Sequence, residues 1–307
     1  MNTIVLQYSV YDLNNRLLVE AGTELTPEFM VEFCQRNRES YPILPLLGYG
    51  TLRQDLLQQF ILPPYNVIFS QKEKVAEILA VMEQVRLPLP LLEGMDYFRH
   101  NDFHTYRHML MIFALTTLIA EELSPENKKL VQEEMAHTGP THDFGKIAVP
   151  LSILLKKEPL TPDDYSLLRH HTLTGYVLLS HYLKDPSNLA ALISRDHHER
   201  INGSGYPRGI HQRNLKIEIT TVADIYDALI AQRPYRPVSF DNRSALEELT
   251  WMAQRGEIGW DVVHILVSFN RRNKPSVKDF QISMECRGRE PEGNLYGLVA
   301  DKDSKKT

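Results

Sequence analysis

In TYRHMLMIFALTTLIAEEL (residues 105–123), apolar residues recur at Ile112, Leu115 and Ile119. Spacings of three and four lay one apolar stripe along a helix. His108 stands four residues before Ile112, on the same stripe, and so faces inward. In ITTVADIYDALIA (219–231), Val222, Ile225 and Leu229 mark the buried side, and Asp224 lies beside it. His197 follows Ile193 by four and also faces inward. Further helix starts come from cap patterns: Thr26-Pro27-Glu28, a capping box at Ser70 and Glu73, Ser124-Pro125-Glu126, Thr161-Pro162-Asp163-Asp164, Asp185-Pro186 and Asp241. Gly139-Pro140 interrupts one helix, Gly256 ends another, and Trp260 to Arg271 forms the last. The opening TIVLQYSVYD and RLLVEAGTEL read as a strand hairpin around Asn14-Asn15. RLPLPLLEG (86–94), with two prolines and a glycine, reads as a connector. The pattern predicts a mainly α protein: a smaller mixed α/β region over 1–95, an all-helical bundle over 96–275, and an extension over 276–307 whose charged tail, DKDSKKT, is expected to be disordered.

Composition narrows the function classes. The 307 residues carry 43% apolar and 24% charged side chains, as a soluble globular protein does. A net charge of -5 gives no global signal for binding a nucleic acid polymer. No apolar run approaches the roughly 20 residues of a membrane span, and the N-terminus does not resemble a signal peptide. The two cysteines, Cys34 and Cys286, form no CxxC spacing, which argues against a disulfide framework and a thiolate metal site. These features together predict a cytoplasmic location.

RDHHERINGSGYPRG (195–209) places two adjacent histidines before a turn fixed by Gly203, Gly205 and Pro207. A single inward histidine is more often a hydrogen-bonded core residue than a ligand, and a lone His-Asp pair is common. An inward aspartate is harder to dismiss, because unpaired burial costs about 2–7 kcal/mol or more. Helical bundles build metal sites from inward side chains on facing helices. Seven residues qualify: His108, His142, Asp143, His171, His197, His198 and Asp224. Mixed His and Asp donors suit iron or manganese, and zinc less exclusively. Shared between two six-coordinate cations with one bridging oxygen, they leave about two positions for substrate, as two-metal phosphoryl hydrolysis requires. Lys146, Arg233 and Arg236 add local positive charge, although arginines are as often solvated.

The ordered motifs TYRH (105–108), HDFGK (142–146), HTLTG (171–175), HHERINGSGYP (197–207) and ADIYDALIAQRPYR (223–236) resemble an HD-GYP domain, the branch of the HD superfamily that hydrolyses cyclic di-GMP. The resemblance covers roughly residues 98–270 and implies an HD-type helical bundle. It implies that the seven residues hold two iron or manganese ions, with Asp143 bridging. Lys146 would reach a substrate phosphate and act with Asp143 in catalysis, Tyr206 would stack on a guanine, and Arg233 and Arg236 would hold phosphate oxygens. The implied reaction is in-line hydrolysis of a phosphodiester, giving linear pGpG and, on repetition, GMP.

The chain departs from the family pattern at several points. Asn202 stands where aspartate is usual and Ile201 where tryptophan is frequent. Gly139-Pro140 replaces an apolar helical stretch, and the segment between His198 and Asp224 is slightly short. His104 lies one turn before His108, where some family members hold a third metal with glutamate; an exposed helix-end histidine is the competing reading. Two alternatives stand beside the phosphodiesterase: a catalytically inactive cyclic di-GMP receptor, and an HD phosphohydrolase for another nucleotide. By resemblance, a GGDEF-type diguanylate cyclase is the expected partner. Residues 1–95 are expected to regulate the enzyme or to form a homodimer.

Overall fold

The structure, a computed structural model, describes residues 4–123, 128–231, 239–285, 287–289 and 291. The chain begins with an antiparallel pair, β1 (Val10–Tyr11) and β2 (Leu17–Val19), turning through Asn15 at φ 61°. Helix α1 (Pro27–Arg36) follows, capped by the Thr26 hydroxyl, which accepts from Phe29 N. Next come β3 (Ile43–Pro45), α2 (Leu52–Phe60), α3 (Tyr65–Ile68), α4 (Lys72–Met82) and β4 (Arg86–Pro88), which pairs antiparallel with β3. The rest is helical: α5 (Leu89–Asn101), α6 (Phe103–Leu123), α7 (Lys128–Thr138), α8 (Leu151–Leu154), α9 (Pro162–Arg169), α10 (His171–Leu183), α11 (Leu189–Asp196), α12 (Leu215–Ile230), α13 (Asn242–Gln254) and α14 (Trp260–Asn270). The fold is mainly α, as the periodicity predicts.

Helix α6 is the axis of the bundle, and α5, α7, α12 and α14 pack around it. From Met109 to Ala120 every residue is buried, so the helix is enclosed on all faces rather than along the one stripe read from the sequence. The hydroxyls of Thr116 and Thr117 donate to Ile112 O and Phe113 O, each at 2.7 Å, which lets two polar residues sit in this core.

Three local expectations fail. Residues 86–94 are not a connector: they form β4 and open α5. Pro90 occupies the first turn, where proline is tolerated, and Leu91, Leu92, Met95 and Phe98 fill the core. The box at Ser70 and Glu73 is not made, since α4 begins at Lys72 with no side-chain cap. Asp185 instead accepts from Ser187 N in a turn, and Asn188 caps α11. The box at Thr161 and Asp164 does form. The cap proposed at Ser124-Pro125-Glu126, Cys286, the charged tail, Arg233 and Arg236 lie outside the described residues. Among the described residues, no helix is long and apolar enough to cross a membrane.

The first residues and the bundle share one core, continuous from Leu6 to Phe269. Cys34 Sγ donates to Ser180 O (3.2 Å), Asn37 Nδ2 to His181 O (2.9 Å), and Leu13 N to the Tyr182 hydroxyl (3.0 Å). These contacts fasten α1 and the hairpin to α10, the helix that opens with His171.

Candidate metal centre

The seven predicted ligands converge from five places in the chain. His108 comes from α6 and Asp224 from α12. His142 and Asp143 lie between two short 3-10 turns, Gly139–Thr141 and Phe144–Ala148. His171 opens α10, and His197 and His198 directly follow α11. Their donor atoms form two groups, His108, His142 and Asp224, and Asp143, His171, His197 and His198, each within 4.8 Å. Asp143 faces both. Its Oδ2 lies 3.5 Å from His108 Nε2 and 3.6 Å from His142 Nε2. Its Oδ1 lies 3.3 Å from His171 Nε2 and 3.7 Å from His197 Nε2. Asp224 spans the groups less closely, at 3.0 Å from His108 and 3.9 Å from His198.

The outer nitrogens explain the orientation. His142 Nδ1 donates to Gly139 O (2.9 Å), His171 Nδ1 to Leu168 O (2.6 Å) and His197 Nδ1 to Ile193 O (3.0 Å). A carbonyl only accepts, so Nδ1 carries the proton and each Nε2 turns a lone pair inward. His108 Nδ1 donates to Asp227 Oδ2 (2.7 Å). The Nε2 atoms of His108 and His142 then face each other at 3.2 Å. His171 Nε2, His197 Nε2 and Asp143 Oδ1 are buried and make no hydrogen bond of good geometry, despite the 3.3 Å approach of the first to the last. Buried orphans of this kind are costly, and lone pairs aimed at one another and at a carboxylate that faces both groups would suit divalent cations. The His and Asp donor set suits such ions.

Burial pushes His142 down to about 3 against the pull of Asp143, and His108 and His197 add to the fall. It also lowers His171 and His198. Burial alone would raise Asp143, but the Lys146 ammonium and the surrounding imidazoles hold it well below the usual carboxylate range. The imidazoles of His108, His198 and His197 do the same for Asp224. These directions disfavour protonation of His142, His171 and His198 and keep Asp143 and Asp224 ionised, the forms that bind metal.

Close backbone approach makes this assembly possible. A Cβ on Gly145 would sit 1.9 Å from His171 O, so only glycine lets the turn after Asp143 lie on the start of α10. The Gly139-Pro140 break supplies the carbonyl that orients His142. At Gly205 a Cβ would meet His198 O at 2.3 Å. Here the turn folds back, Tyr206 N donates to His198 O, and the Tyr206 ring stacks on the His198 ring at 4.6 Å and 19°. Asn202 Oδ1 accepts from Ser204 N and Oγ, an acceptor role that an aspartate oxygen would fill equally well. Lys146 Nζ pairs with Asp143 Oδ2 beside the centre. His104, half-buried on α6, belongs to neither donor group.

Sequence reasoning missed a supporting layer. Asp227 orients His108 and is itself held by the Tyr65 hydroxyl and by Arg107, 3.5 Å away. Its spacing of three from Asp224 was a legible signal; Tyr65, far off in α3, gave none. The buried Glu199 carboxylate accepts from Arg208 N (2.6 Å) and Ile210 N (3.0 Å), fixing the Gly-Tyr-Pro turn. Beside the centre lies a cleft of about 770 Å³, lined by Tyr206, Arg169 and residues of the N-terminal segment.

The chain is 38% identical over 151 residues to a cyclic di-GMP phosphodiesterase of Thermotoga maritima, covering 48% of this chain and 39% of that protein. It is 41% identical over 143 residues to a cyclic di-GMP phosphodiesterase response regulator of Xanthomonas campestris pv. campestris, covering 46% and 36%. It is 36% identical over 122 residues to a 3'3'-cGAMP-specific phosphodiesterase 2 of Vibrio cholerae, covering 39% and 23%. The chain thus matches well under half the length of these relatives. The family model described as HD domain matches residues 76–262, more than half of the chain. On that match, the chain belongs to the HD domain family.

Proposed function

We propose that this protein hydrolyses the phosphodiester bonds of cyclic di-GMP, releasing pGpG or GMP, with two iron or manganese ions held by the seven ligands. The observation that carries this reading is the Asp143 carboxylate, which turns one oxygen to each of two imidazole groups. When bound, paired divalent cations supply an activated water and neutralise charge on phosphoryl oxygens. The chain's own residues do the rest. Asp143 and Asp224 set the spacing of the two groups. Lys146, paired with Asp143 at the edge of the centre, offsets negative charge that grows on the phosphoryl group during displacement. Arg233 and Arg236 serve the substrate phosphates in the same way. Tyr206 packs on His198 and so connects the centre to the adjoining cleft. The named activities of the relatives support the substrate class.

The same reading gives residues 1–95 a regulatory or dimerising role and residues 96–275 the catalytic role. His104 is left outside the two-ion set, as a ligand of a third ion only if one binds. The action is cytoplasmic, on cyclic di-GMP supplied by a GGDEF-type cyclase. The test is purification without oxygen, loading with Fe(II) or Mn(II), addition of cyclic di-GMP and resolution of products over time, with His142→Ala and Asp143→Ala as controls. Product in the wild type alone supports the enzyme. Binding of metal and ligand without cleavage would make the protein a receptor instead.

A further inference from the structure

The cleft beside the metal centre contains one unusually placed charge. The Arg169 guanidinium, at the end of α9, lies 4.1 Å from the ring centroid of Tyr206 and 5.6 Å from that of Tyr165. Among the described residues no carboxylate pairs with it and no acceptor takes its side-chain N–H groups. The neighbouring arginines differ. Arg208 donates to Asp196 at 2.7 Å, and Arg195 holds the same carboxylate at 2.8 and 2.9 Å. A guanidinium held only by ring faces keeps its in-plane fork of donors available to a ligand. Val5 and Gln7 of the N-terminal segment line the same cleft.

His198 also stacks on Tyr206, with the ring centroids 4.6 Å apart. Two planar groups this close to one ring would collide at their edges on a single face, so His198 and Arg169 take opposite faces. A base that enters from the cleft therefore meets Arg169 before it meets Tyr206. The arginine also lies one ring layer beyond the ligand His198, whereas Lys146 sits at the centre itself. That order places Lys146 at the phosphate and Arg169 at a base.

We propose that Arg169, ordered by Tyr206 and Tyr165, is the residue that reads the base of a cyclic dinucleotide, donating to O6 and N7 of guanine. This rests on the cyclic dinucleotide reading above. An arginine fork matches those two acceptors, whereas adenine presents an amino donor in place of O6. Arg169 therefore selects guanine-containing substrates over adenine-containing ones.

The experiment uses the full chain loaded with Mn(II) and compares wild type, Arg169→Ala and Arg169→Lys. For each, binding and kcat/KM are measured with cyclic di-GMP, 3′3′-cGAMP and cyclic di-AMP, together with metal content and far-ultraviolet circular dichroism. Wild type is expected to favour guanine. Arg169→Ala is expected to lose about tenfold or more with cyclic di-GMP, mostly in KM, and little with cyclic di-AMP. Arg169→Lys restores only part, because an ammonium lacks the fork. Metal content stays unchanged. An equal loss with all three ligands overturns the proposal, since Arg169 would then contact phosphate or merely support the fold. No loss with any ligand overturns it too. If wild type binds these ligands without cleaving them, the hydrolase reading fails, and the binding constants still decide the role of Arg169. If it binds none, both fail.

Discussion

Asp227 shows how much of the centre depends on a residue that contacts no proposed ion. Its carboxylate holds His108 Nδ1 at 2.7 Å and is clamped by Tyr65 and Arg107. Burial opposes its charge, but Arg107 and His108 outweigh that and lower it to about 2. Such outer partners typically contribute about 10–100-fold to metal affinity. Asp227→Asn is therefore expected to weaken Mn(II) binding by about that factor, with the helix content intact. Titration against a chelator checks this, and unchanged affinity would remove Asp227 from the centre. Protonation gives a second prediction. His142, held at about 3 in the fold, takes up a proton in the unfolded chain below its ordinary value of about 6.5. Between those values the unfolded state binds more protons, so stability of the metal-free protein falls as pH drops from about 6.5 toward 3. His170, pushed down to about 4 by burial and by His171, acts in the same sense. Denaturant midpoints of the metal-free protein across that range measure the effect; a flat profile would contradict it.

At the scale of elements, the decisive contact is between the 3-10 turn Phe144–Ala148 and the start of α10, which brings Asp143 to His171. Gly145 permits it. Gly145→Ala puts a methyl against His171 O and Gly175 N, so the two segments must separate. Overpacking of this kind costs about 1–3 kcal/mol, and here it also displaces two ligands. The expected result is a lower urea midpoint together with loss of metal; normal metal content would show that the contact is not needed. Helix ends were partly legible. Thr161 and Asp164 make the box their spacing predicts, whereas Ser70 and Glu73 do not, because α4 begins only at Lys72. A capping pattern states what a segment can do, and the packing of Ile78 and Met82 decides where the helix sits.

At the scale of the molecule, the N-terminal region is built into the helical bundle. Tyr65 of α3 reaches Asp227, Cys34 and Asn37 grip α10, and Val5 and Gln7 wall the cleft. One continuous core joins these parts. The metal-free protein is accordingly expected to unfold in a single calorimetric transition, with matching calorimetric and van't Hoff enthalpies. Two separated transitions would mean that residues 1–95 fold as an independent unit.

The sequence by itself determined the helical class, the inward direction of His108 and His197, and the candidate set of seven ligands. These follow from local periodicity and from residue chemistry, which are written along the chain. It did not determine that α6 is enclosed on every side, that residues 86–94 enter a strand and a helix, or that Tyr65 and Arg169 belong to the site. Those features depend on segments distant in sequence meeting in space. Tyr65 and Asp227 are 162 positions apart, and no local pattern encodes a pairing over that distance. The tertiary structure alone decided it, because only packing determines which buried hydroxyl meets which buried carboxylate.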